Sequence, residues 1–104
     1  DPRVKSAVAW AGRHWSVAEN PGMGTKGLFY YYTIMGKALG QLGAEALTGA
    51  DGKTIFWRKD LAEKLTREQD ANGSWVNSNN QFWEGDAVLV TSYSVLALQY
   101  VATE

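Results

Sequence analysis

The chain has 104 residues, about one small domain, and its 45% hydrophobic and 20% charged content is that of a globular rather than a disordered protein. Ten Lys and Arg against eleven Asp and Glu leave a formal net charge of -1. With the basic residues scattered, this balance argues against a nucleic-acid partner. The absence of cysteine removes disulfides, thiolate chemistry and cysteine-based zinc sites, and leaves redox compartment and localisation open.

No apolar run reaches the roughly 18 residues of a membrane span. The start, DPRVKSAVAW, has neither an initiator methionine nor a signal peptide. It reads as the beginning of a processed chain or of a C-terminal fragment of a longer protein.

Asp1-Pro2 predicts a helix start, with Asp as N-cap and Pro in the first turn. Val4, Ala7, Val8, Ala11 and Trp15 then recur at helical spacing along one face. NPGMGTKG ends this helix with one Pro and three Gly in eight residues. A second helix is predicted over Leu28–Leu42, where Leu28, Tyr31, Tyr32, Met35, Leu39 and Leu42 form the stripe. Phe29, Tyr30 and Ile34 widen the apolar surface, so this helix should be mostly buried. Asp51-Gly52 signals a tight turn, the centre of a small hairpin.

The third helix, Trp57–Gln69, places Trp57, Leu61, Ala62 and Leu65 on one face and charged residues on the other, as a surface helix does. The fourth, Asp86–Ala102, contains AVLVTSYSVLALQYVA, sixteen residues without a charge. A typical strand runs only about five or six residues, so the stretch reads as a buried helix. The VNSNNQFW stretch before it reads as an exposed polar loop.

The alternation is outer, inner, outer, inner. At an offset of 58 residues, Gly27 matches Gly85, Thr33 matches Thr91 and Gln41 matches Gln99. The expectation is an all-α domain over 1–104, made of two helical hairpins at about 1–46 and 54–104. Repeats of this kind generally need about three units for a continuous core.

Gln69-x-x-x-Gly73-x-Trp75 resembles the QW motif of squalene-hopene cyclases and protein prenyltransferase β-subunits. WRKDLAEKLTREQDANGSWVN and FWEGDAVLVTSYSVLALQY resemble the last repeat of bacterial prenyltransferase/squalene-oxidase repeat proteins, and ENPGMGTKGLFYYYTIMGKAL resembles the repeat before it. The resemblance covers nearly the whole chain, although the full motif occurs once. It implies an α/α toroid of concentric hairpins in which the motif is a structural staple. In that role the Gln amide would serve a helix end, Gly73 would supply a positive backbone angle, and Trp75 would seal the junction between hairpins.

The resemblance implies no reaction here. The cyclases' D-x-D-D acid motif is absent, and the prenyltransferase zinc site needs a cysteine and more than His14, the one histidine. Neither a metal nor another cofactor is expected. Asp70, Asn72 and Ser74 alternate as in a calcium loop, but Trp75 and Gln81 stand where that loop needs Gly and Glu. His14 reads as a helix-end residue.

Four residues remain as candidates for a substrate cavity. Glu84 and Asp86 lie at the start of the fourth helix, where capping and the helix dipole explain them for about 0.3–1 kcal/mol. Trp83 stands beside them with Phe82, as part of a substrate-lined mouth. Of the three tyrosines at 30–32, set about 100° apart on a helix, Tyr30 lies off the main stripe and is the one to face a cavity.

The leading expectation is a non-catalytic or incomplete repeat module. Its bare inner-helix sides would pack against the parent chain or a second copy, most simply as a homodimer. The alternatives are part of an enzyme acting on an isoprenoid substrate, with catalytic residues elsewhere, or a carbohydrate-active (α/α) domain using its five Trp. The latter would need two carboxylates about 5–9.5 Å apart.

Overall fold

The computed structural model describes residues 1–102. Asp1 caps the first helix as expected: its Oδ1 accepts the Arg3 N–H at 2.8 Å, and α1 runs over Pro2–His14. The next helix, α2 (Leu28–Leu42), has the predicted bounds, and Gly43 ends it in the left-handed conformation. The Asp51-Gly52 turn joins β1 (Leu47–Thr48) to β2 (Thr54–Ile55), an antiparallel pair with Leu47 opposite Ile55. The last two helices, α3 (Trp57–Glu68) and α4 (Ala87–Ala102), follow. The described chain is therefore mostly helical, with four helices and one small hairpin.

Helices α2 and α4 lie side by side and run in the same direction. Near their starts the rings of Tyr30 and Tyr93 meet edge to face at 5.4 Å, and the Thr33 hydroxyl donates to the Tyr93 carbonyl at 2.8 Å. Further along, Gly36 and Gly40 remove the side chains that would hold the helices apart. A Cβ at either would stand 3.6 Å from the Tyr100 Cβ, so one more substituent separates contact from clash.

Helix α3 packs across α4, burying Leu61 and Leu65 in the same cluster as Leu28, Phe29, Tyr32, Val90 and Ala97. Arg58 donates to the carbonyls of Tyr100 (2.6 Å) and Val101 (3.2 Å) at the α4 end, a favourable place for a cation on a helix. A second cluster forms around Leu39, Leu47 and Trp57, with Val8 and Trp15 against it.

The stripe of α1 is only half used. Gly12 is its one buried residue, and Val4 remains exposed. The cause is the β1–β2 hairpin: α1 rests on β1, and a side chain at Gly12 would collide with the Thr48 carbonyl. Held there, the helix leaves an open apolar groove between Val4, Val8 and Ala11 on its own side and Met35, Ala38 and Leu42 of α2.

Two tyrosines tie α2 to the segment after α1. The Tyr31 hydroxyl donates to the Ser16 carbonyl at 3.0 Å, and the Tyr32 hydroxyl to that of Val17. Burial raises the pKa of both phenols, assisted at Tyr32 by the negative charges of Glu68 and Glu84.

Candidate functional site

The QW stretch forms a closed turn. Gly73, with φ of 94°, lets the chain reverse, and the Asp70 N–H donates to the Ser74 carbonyl at 2.8 Å. Trp75 is 4% exposed. Its indole N–H reaches the Leu65 carbonyl in the last turn of α3 at 2.8 Å, while its backbone N–H donates to the Thr91 hydroxyl of α4 at 3.0 Å. The Gln69 amide donates instead to the Gly73 carbonyl at 2.8 Å. The Gln69 side chain thus braces its own turn, and its backbone N–H (3.1 Å) shares the Leu65 carbonyl with the Trp75 indole.

The second junction lies where α2 and α4 begin. Helix α2 starts at Gly27, which has no side chain to cap its free N–H groups. Glu84 provides the cap from the other half of the chain. Its Oε1 accepts the Phe29 N–H at 2.9 Å, and its Oε2 accepts the Tyr30 N–H at 2.9 Å. The Asn77 amide also donates to Oε1 at 3.1 Å and to the Thr25 carbonyl at 2.7 Å. An ionised carboxylate only accepts hydrogen bonds, and everything around this one donates. Glu84 is 0% exposed, so the carboxylate considered for a substrate cavity is enclosed and fully engaged.

Asp86 is the N-cap of α4, accepting the Val88 N–H at 2.9 Å, and it is exposed to solvent. Asn77 sits in the stretch read as a plain exposed loop, yet it is buried beside Glu84. A polar run carries no periodicity that would have singled out one inward-facing amide.

Trp83 is 78% exposed and Tyr30 52%. Phe82 and Trp83 both have left-handed backbones, with φ of 62° and 67°. Each such conformation at a non-glycine residue costs of order 1–3 kcal/mol. The turn is held by the Trp83 N–H on the Asn80 carbonyl (3.1 Å), the Gly85 N–H on Asn80 Oδ1 (2.8 Å) and the Asn77 N–H on the Glu84 carbonyl (2.8 Å).

Beside this turn lies a groove of about 420 Å³, lined by Asn20, Met23, Gly27, Tyr30, Phe82 and Tyr93. Tyr30 and Phe82 are thereby brought together, while Glu84 lies behind the wall and Trp83 outside it. Nothing in the sequence singles out Tyr93, because only the pairing of α2 with α4 sets its ring against Tyr30. Burial, then the negative charge of Glu84 and the neighbouring Tyr30, raise the Tyr93 pKa. The groove offers π faces, phenol hydroxyls, a thioether and one amide, a set suited to binding rather than to proton transfer near neutral pH.

His14 lies with its Nδ1 2.9 Å from the Trp10 carbonyl and its ring stacked on Trp10 at 3.9 Å. Among the described residues, no three His, Cys, Asp or Glu gather as metal ligands, and no helix is long and apolar enough to cross a membrane. Compared with protein-family models, curated proteins and solved structures, the chain gives no match.

Proposed function

We propose that the chain is a two-hairpin module of an α/α toroid, of the squalene-hopene cyclase and prenyltransferase type. It performs no catalysis by itself and packs its α2/α4 face against further hairpins of a parent chain or against a second copy. The observation that carries this reading is the face of α2 and α4 turned away from the core. Exposed there are Tyr30, Ile34, Lys37 and Gln41 of α2 and Val88, Ser92, Val95, Leu96 and Gln99 of α4, with one charge in the whole set. Val88 is 78% exposed, an unusual position for a β-branched apolar side chain on a helix that meets only water. The two acids nearest this side, Glu84 and Asp86, are committed to helix starts, which favours a packing role over a catalytic one.

The test is the double substitution Ile34→Glu and Val95→Glu. Both side chains are exposed within the single chain, so the chain should still fold cooperatively, without the stability that association adds, while association measured by sedimentation is lost. Association that survives the two new charges would contradict the reading.

A further inference from the structure

We propose that the groove at the shared start of α2 and α4 is a binding site for a small organic ammonium ion of the trimethylammonium class. Three rings form it. Tyr30 and Tyr93 stand 63° apart in plane, making two walls. Phe82 closes a third side over the floor at Gly27, where a Cβ would lie 3.4 Å from the Phe82 ring. Aromatic faces carry partial negative charge and attract a cation within about 6 Å of the ring centre.

The surroundings agree in sign. No Lys, Arg or His lines the groove. Behind the Tyr30 wall lies Glu84, whose oxygens take only N–H donors and which forms no ion pair among the described residues. The positive end of α2 offsets much of that carboxylate, so the π faces carry most of the attraction. No hydrogen bond ties the Tyr30 or Tyr93 hydroxyl to another described residue, which leaves both to meet a hydroxyl on the ligand.

The geometry of Phe82 supplies a separate argument. A phenyl ring that is 55% exposed gains little from burial, yet it is held on a left-handed backbone with its ring turned over Gly27. The hydrogen bonds that hold the turn thereby present this ring to the groove.

Choline and its neutral isostere 3,3-dimethylbutan-1-ol distinguish charge recognition from simple apolar filling. The chain is titrated with each at constant ionic strength while the aromatic proton signals are followed. Choline should shift the Tyr30, Phe82 and Tyr93 signals saturably and bind about tenfold or more tightly than the isostere. Removing one ring by Tyr30→Leu should weaken binding about three- to tenfold. Phe82→Gly should do the same while raising the melting temperature, because glycine accepts that backbone angle freely. Running the titration on the Ile34→Glu/Val95→Glu chain as well tells a groove shut by self-association from one that does not bind. Equal binding of the isostere, shifts confined to residues outside the groove, or no saturable shift in either chain would overturn the proposal.

Discussion

Glu84 does for α2 what a helix usually obtains from the residue at its own start. Gly27 offers no oxygen, and the side chain that replaces it lies more than fifty positions later. Removing that carboxylate would leave the Phe29 and Tyr30 N–H groups without an acceptor and the Asn77 amide with Thr25 alone. Glu84→Ala should therefore cost about 3 kcal/mol, the scale of several buried donors left unpaired. Asp86→Ala removes only an exposed cap and should cost about 1 kcal/mol. Urea denaturation of the two variants checks the order. Equal losses, or a larger loss at Asp86, would mean that Glu84 is no long-range cap. Residue chemistry anticipated the caps at Asp1 and Asp86, which act on their own helices. The Glu84 cap was hidden because capping signals in a sequence are local, and this one depends on the packing of α2 beside α4.

At the scale of elements, the bounds of α2 and α4 were legible from apolar spacing and from the length of the uncharged run. The hairpin was legible from Asp51-Gly52. The placing of α1 was not, because periodicity says which side of a helix is apolar but not what it meets. Here β1 takes the place beside Gly12. The turn at 69–75 was visible as a motif, although the Gln69 amide stays within the turn and Trp75 alone reaches the helix end. Trp75 joins α3 to α4 through two hydrogen bonds and a buried ring. Trp75→Ala should cost about 3–5 kcal/mol. Gln69→Ala, which removes one exposed bond within the turn, should cost about 0.5–1.5 kcal/mol. Thermal melting of the pair measures the difference, and a Trp75→Ala chain that melts like the parent would remove the staple.

At the scale of the molecule, the core lies on one side of the α2–α4 pair and a nearly uncharged face on the other. Of its exposed residues, Lys37 alone carries charge. The outer side of α3 is different: Lys59 pairs with Glu63 and Lys64 with Glu68, as suits a helix that faces water. The proposed packing role rests on this contrast between the two sides. The most direct test is the solution mass of the chain, by light scattering over a concentration series. The account predicts a dimer or larger species that dissociates on dilution. A folded monomer at every concentration would contradict it, because two hairpins would then be complete with their apolar face in water.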